Sequence, residues 1–375
     1  MLFENEIEMF PASYREILQR IDRIDPVKYA KNRNYLNGAV SYLSPYISRG
    51  VISTKFVFNH LIEKGFHAEV MEKFIQELAW RDYWQQVWIS KKEGINSDLK
   101  NSQKPINNLS ISKGIIDGNT GVEAIDRGIL DLYNTGYMHN HMRMYVASIA
   151  CNVAQSHWKI PAKWMYYHLL DADWASNALS WQWVAGANSQ KKYYANQDNI
   201  NKYFFSNQKD TYLDKSYSAF ADMDIPDALA DTVDIELITP LPRNRQIRID
   251  DSLPTCLYNF YNLDPLWKID EAVNRILLLE PSHFRQYPVS KNSIDFMLRL
   301  AANIDHIQIY VGEFKELAAA YNLKSIYFKE HPLSSHYQGE EEEREWMFSV
   351  EGYFPSFFKF WKQCKKELLP IGMAS

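Results

Sequence analysis

Over the first 220 positions apolar residues recur at intervals of three and four, and that period constrains the fold more than any other feature. Residues 56–64, 71–90 and 121–133 carry it clearly, and such spacing puts one apolar stripe on one face of a helix. Gly94, Gly114, Gly118, Gly136 and Pro161 are the expected breaks between helices. Alternating strand patterns are hard to find there, so residues 1–225 are predicted to form an all-helical domain. Residues 226–255 contain Pro226, Pro240, Pro242 and Pro254 among scattered acids, and read as a linker.

The period then changes. Residues 275–280 (RILLLE) form a short apolar run, 290–302 are helical in pattern, 306–311 (HIQIYV) read as a strand, 314–321 as a helix and 325–328 as another strand. Strands alternating with helices over short links predict a small α/β module with a parallel sheet and right-handed crossovers, ending in helices, over residues 256–375. No glycine-rich phosphate loop follows the 275–280 strand. The acidic run 340–343 reads as a solvated helix start, and the aromatic stretch 346–361 as packing.

Several classes of function are excluded. Cys151, Cys256 and Cys364 lie about a hundred residues apart, which matches no zinc or iron–sulfur spacing, so no metal is expected. So sparse and odd a count also suits a reducing compartment. Residues 1–14 carry three glutamates and lack the basic and apolar regions of a signal peptide. No run reaches the roughly 18 apolar residues of a membrane span. A cytoplasmic protein without membrane contact is expected. The net charge of −5 argues against a wholesale duplex binder, but the acidity belongs to residues 221–375 and the helical part is slightly basic.

The residues that carry chemistry cluster in the helical part. Eight of the eleven tryptophans fall between Trp80 and Trp183. Glu77, Trp80 and Arg81 share one helix face, where an ordinary stabilising Glu–Arg pair is the simplest explanation. Residues 135–144 (TGYMHNHMRM) pack two histidines, an asparagine and an arginine into one helix start. In 169–183 (LLDADWASNALSWQW), Asp171 and Asp173 sit in an apolar helical setting where unpaired carboxylates would be costly. Arg143 is the natural countercharge, and capping accounts for only one of the two aspartates.

Four stretches in series, 41–51 (SYLSPYISRGV), 77–83 (ELAWRDY), 135–144 and 171–183, make the chain similar to the flavin-binding catalytic domain of the photolyase/cryptochrome superfamily. The resemblance covers roughly residues 1–220 and implies FAD as cofactor. It implies that Tyr29, Val40, Ser41, Tyr42, Leu43 and Ser44 hold the FAD phosphates, Val40 standing where many relatives have threonine. Phe74, Arg81, Tyr137 and Asn140 fall on flavin-pocket positions. Arg143 and Asp171 match an ion pair beside the isoalloxazine, Asp173 the residue at the ribose and ring edge, and Asn177 the residue opposite flavin N5. An asparagine at that last position leans toward repair chemistry.

The resemblance also implies a substrate. Glu77, Trp80, Asn140, Met144 and Trp183 match a pocket for a flipped cyclobutane pyrimidine dimer, with Trp80 and Trp183 as flat walls. Asn140 stands where (6-4) photolyases carry a histidine, which favours cyclobutane dimers. His141 replaces an arginine that grips phosphate, so its charge depends on pH. Arg33, Lys191 and Lys192 remain as phosphate contacts in place of a usual DNA-touching segment, here 193–197. Glu77, Asn177, Trp181 and Trp158 are the expected catalytic set, Trp181 and Trp158 matching the first two tryptophans of an electron-transfer chain. The third falls near Asn108, leaving Trp88, Trp164 or a tyrosine as substitutes. The family's α/β antenna domain normally precedes the helical domain; here an α/β pattern follows it, as a relocated or independently acquired module. The function implied is light-driven splitting of pyrimidine dimers in UV-damaged DNA, single strands being the easier substrate. The alternative is a cryptochrome-like photoreceptor that engages a protein partner through its acidic C-terminal part.

Overall fold

A computed structural model describes residues 9–220 and 223–372. Residues 1–8, on which the reading of the N-terminus rests in part, lie outside the described residues. Among the described residues no helix is long and apolar enough to cross a membrane, and no cluster of His, Cys, Asp and Glu could hold a metal. The three cysteines are free and buried.

Helices dominate up to residue 230, and their ends follow local chemistry. Asp25 caps Pro26–Asn32, its carboxylate accepting from the amides of Val27 and Lys28. Ser53 caps Thr54–Glu63, Asp173 caps Trp174–Ala185, and Gly136 closes Glu123–Thr135 in the left-handed conformation. Pro161, an expected break, lies instead in the first turn of Lys159–His168, where its missing N–H has no intrahelical partner to lose. One exception to the all-helical reading is a two-residue antiparallel pair, β1 (Ile111–Ser112) with β2 (Thr232–Val233).

The C-terminal part holds a five-stranded, wholly parallel sheet. Its strands are β3 (Pro254–Tyr258), β4 (Asn274–Leu279), β5 (Gln308–Val311), β6 (Lys324–Lys329) and β7 (Glu340–Glu342), in the order β5-β4-β3-β6-β7. Two strands depart from expectation. β3 begins at Pro254, inside the predicted linker: proline is tolerated as the first residue of a strand. β7 occupies the acidic run expected to start a helix. Its Glu342 accepts from the indole of Trp267 and pairs with Lys268 and Lys329, so side-chain partners absorb the charge.

The period-two geometry of the strands splits the module into two cores. Cys256, Tyr258, Leu277 and Leu279 join the core of the helical part, whereas Leu257, Ile276 and Leu278 pack under Phe314 and Leu317 of the Phe314–Ala320 helix. β4 is buried on both faces along its whole length, as expected of a covered parallel sheet. The junction with the helical part is tight. Gly50 has φ +64°, and a Cβ there would lie 2.4 Å from the carbonyl oxygen of Tyr261. Next to it, Arg49 is fully buried, with its guanidinium 3.4 Å from the centre of the Phe260 ring. Its carbonyl accepts the amide of Leu263, and the hydroxyls of Tyr166 and Tyr261 meet at 3.0 Å.

Candidate functional site

Asp171 and Asp173, the two carboxylates that composition alone leaves unexplained, are both buried and both satisfied. Arg143 spans Asp171 with Nη1 at 3.1 and 3.0 Å from its two oxygens, while its Nε donates to the carbonyl of Met138. Burial opposes ionisation of Asp171, but Arg143, Arg81 and the Ser44 hydroxyl outweigh it and hold the carboxyl below the usual carboxylate range. Asp173 divides its work: Oδ1 accepts the amide of Ser176 at the helix start, and Oδ2 accepts from Arg81 at 3.2 Å and from Gln85 at 2.7 Å.

Glu72–Lys91 supplies one wall. Phe74, Glu77 and Arg81 follow one another at three and four residues along it, and Arg81 also donates to the Ser48 hydroxyl at 2.9 Å. Tyr29 packs edge-on against Phe74 at 5.0 Å, and Tyr137 lies 5.1 Å from Tyr42. Tyr42 has φ +53°, a left-handed turn unusual for a side-chain-bearing residue. Leu43 is buried, whereas Tyr29, Val40, Ser41, Tyr42, Ser44, Tyr137 and Asn177 are only half-buried. Asn177 donates Nδ2 to the carbonyl of Ala162 at 2.8 Å, which leaves Oδ1 as its acceptor.

The residues expected to contact substrate and phosphate are placed less uniformly. Asn140 and Trp183 are exposed, and Met144 and Trp80 half-buried. Phe357 lies flat on Trp80 at 3.9 Å and 10°, so one of the two flat faces of that indole is covered. Arg33 is paired with Glu77 at 3.3 Å, and Lys73 approaches the same oxygen at 3.8 Å. His141 sits between Tyr145 and Tyr203, and burial lowers its pKa. It is therefore neutral at pH 7 and carries no phosphate-gripping charge. His139 caps Asn140–Ser148, and burial pushes its pKa down to about 4. Lys191 is exposed and Lys192 half-buried. Trp158 and Trp181 are buried.

A cavity of about 370 Å³ adjoins the Asp173 network, lined by Ser48, Arg81 and Asp173 on the helical side and by Asn259, His331 and Arg344 of the module. It opens beyond the carboxyl ends of β3 and β6, where the strand order reverses, the usual crevice of an open parallel sheet. Arg344 links the two sides, with Nη1 2.9 Å from Gln85 Oε1 and a bidentate pair to Glu330. Ser48, Gln85 and Arg344 belong to the site and are not among the residues expected from sequence. Ser48 lies inside the 41–51 motif and Gln85 one turn beyond Arg81, so both were within reach. Arg344 stands 259 residues from Gln85, with no local pattern to signal it.

Comparison with known proteins finds similarity in the helical part. Residues 74–216 match the FAD binding domain of DNA photolyase. A deoxyribodipyrimidine photo-lyase of Alkalihalophilus pseudofirmus is 29% identical over 161 residues, 42% of this chain and 34% of that protein. One of Streptomyces griseus is 31% identical over 155 residues, 41% of this chain and 34% of that protein. Cryptochrome-1 of Arabidopsis thaliana is 28% identical over 193 residues, 46% of this chain and 27% of that protein. Among solved structures, a Synechocystis cryptochrome covers 52% of this chain and 44% of its own, at 25% identity and TM-score 0.48. The chain spans about a third of the length of the curated relatives it matches. Residues 74–216 of its helical part are thus similar to the FAD binding domain of DNA photolyase, and the relatives it matches include both photolyases and a cryptochrome.

Proposed function

We propose that this protein binds FAD in the helical part and uses it to split cyclobutane pyrimidine dimers under light. The donor set fits such a cofactor. Arg81 and Arg143, each tied to a buried aspartate, are charged but keep a solvent-facing edge, and the hydroxyls of Ser41 and Ser44 flank a left-handed turn at Tyr42. Tyr29, Phe74 and Tyr137 provide aromatic sides. One observation carries the reading further: the Asn177 amide uses one N–H on the carbonyl of Ala162, which fixes its plane and leaves Oδ1 as an acceptor for a group opposite it. That suits the protonated N5 of reduced flavin.

Bound and reduced, FAD supplies a light-excited one-electron donor. The chain's own residues do the rest. Trp183, the free part of Trp80 and Met144 offer apolar walls, and Asn140 a hydrogen bond to a base edge. Glu77 would meet the negative charge that develops on the dimer by hydrogen bonding or proton sharing, which needs a proton on its carboxyl and hence release from Arg33 and Lys73. With His141 neutral and Arg33 engaged, few cations face phosphate, so binding should be weak in salt dependence and favour single strands.

The test is repair of a thymine dimer in single- and double-stranded oligonucleotides by the purified, photoreduced protein, with FAD content measured first. Repair of the single strand is expected. Glu77→Ala should lower the yield about tenfold, the worth of one hydrogen bond to a charged group, with FAD content unchanged. Bound FAD with no repair of either strand would refute the enzymatic reading. One observation favours the photoreceptor alternative: Phe357 already occupies a face of Trp80, as a chain that receives light without admitting DNA could afford to do. Under that alternative Phe357→Ala leaves repair at zero; under the leading reading it does not reduce repair.

A further inference from the structure

Trp158, the second tryptophan of the expected electron-transfer chain, hands its indole N–H to a carboxylate. The ring is fully buried, and Nε1 donates to Asp98 Oδ1 at 2.8 Å. The same oxygen meets Nε2 of His157 at 3.2 Å, and Asp98 Oδ2 accepts the amide of Gln103 at 2.8 Å. Nδ1 of His157 accepts the amide of Lys159, so the neutral ring carries its proton on Nε2 and donates it to Asp98. The side chains of Asp98 and His157 each keep 21% of their surface exposed. The carboxylate therefore joins a buried indole to water.

Two other buried indoles of the helical part have different partners. Trp174 donates to the amide oxygen of Asn96 and Trp164 to the hydroxyl of Tyr133; neither acceptor is a base at neutral pH. Trp267 does reach a carboxylate, Glu342, but in the sheet module. Asn108, near the expected third tryptophan position, is bridged to Ser156 beside Trp158 and brings no ring.

We propose that Trp158 is the terminal electron donor of this protein and that Asp98 is the base that takes its proton. The proposal rests on the flavin reading above. Light-excited oxidised flavin, when bound, would supply the oxidant, and Trp158 would give up one electron toward it through the Trp181 position of the expected chain. Loss of that electron makes the indole N–H strongly acidic, and its proton passes from Nε1 to Asp98 Oδ1. A neutral indolyl radical and a neutral carboxylic acid remain, and the acid releases the proton to water at its exposed edge. A thiol in solution later returns one electron and one proton to Trp158. Deprotonation traps the separated charge, because the electron cannot return without the proton.

Asp98→Asn keeps the size and the hydrogen-bond acceptor but removes the base. Transient absorption of the purified holoprotein should show a neutral tryptophanyl radical in the wild type. In Asp98→Asn the radical should stay protonated and the yield of long-lived photoreduced flavin should fall about tenfold, the loss of one charge-assisted hydrogen bond. Asp98→Glu should restore both. In the protein without light, the Trp158 indole N–H resonance, assigned with Trp158→Phe, should lie downfield and move upfield in Asp98→Asn. An unchanged yield of neutral radical in Asp98→Asn overturns the role of Asp98 and leaves the chain standing. Wild-type photoreduction in Trp158→Phe overturns the chain itself, and the proposal with it.

Discussion

Replacing Asp171 by alanine should lower the free energy of unfolding at pH 7 by about 3–5 kcal/mol, the usual effect of removing one partner of a buried ion pair. The guanidinium of Arg143 would then sit beside a void with its countercharge gone, while still tied to the carbonyl of Met138. The double variant Asp171→Ala/Arg143→Met should recover most of the loss, because no charge is left unpaired. Urea unfolding of the four proteins of this cycle measures it, and a single variant as stable as the wild type would contradict the assigned pairing. The pH dependence has a definite sign. The Asp171 carboxyl is held below its ordinary value in the folded protein. Its contribution is therefore present above the ordinary carboxylate pKa and is lost as pH falls through the lowered folded value. Melting temperatures followed down through the acid range should show the wild type losing that increment, and Asp171→Ala having none to lose.

Gly50→Ala should be nearly as damaging, although it adds one methyl group. The new Cβ would lie 2.4 Å from the carbonyl oxygen of Tyr261 and 3.1 Å from the Cα of Asn262, and neither backbone atom can rotate away. The left-handed φ adds its own penalty for a side-chain-bearing residue. Together these cost about 3 kcal/mol or more. The strain falls on the junction of the helical part with the sheet module, so amide exchange of Leu263, which donates to Arg49, should accelerate more than exchange within Trp174–Ala185. A stability within about 0.5 kcal/mol of wild type, the range of ordinary surface substitutions, would show that the junction yields.

The helical part was legible because its information is local. A period of three and four, an aspartate or serine at a helix start and a glycine at a helix end act over one or two turns, and they recovered the helices around Glu77, Asn140 and Asp173 with small errors at the ends. Arg143 as countercharge to the aspartates followed from unpaired charge in an apolar setting, and its pairing with Asp171 from the family resemblance. Three features misled for equally physical reasons. Pro254 suggested linker, but a strand's first residue needs no donor. The acids of β7 suggested a solvated helix, but Lys268, Lys329 and Trp267 meet Glu342 at the end of the strand. Pro161 suggested a break and proved to be a beginning.

The sequence by itself determined the helical class, the α/β pattern behind it and the polar groups Arg81, Arg143, Asp171 and Asp173 of the candidate site, since periodicity, capping and the cost of unpaired charge operate on neighbours in the chain. Only the tertiary structure decided what those groups face. It set Arg344 of the module against Gln85 and so against Asp173, laid Phe357 on Trp80, turned Arg33 toward Glu77, and gave the indole of Trp158 a carboxylate sixty residues away. Each contact closes a loop whose partners share no local signal. Which polar groups meet is settled when distant segments are buried together and every donor in the interior must find an acceptor.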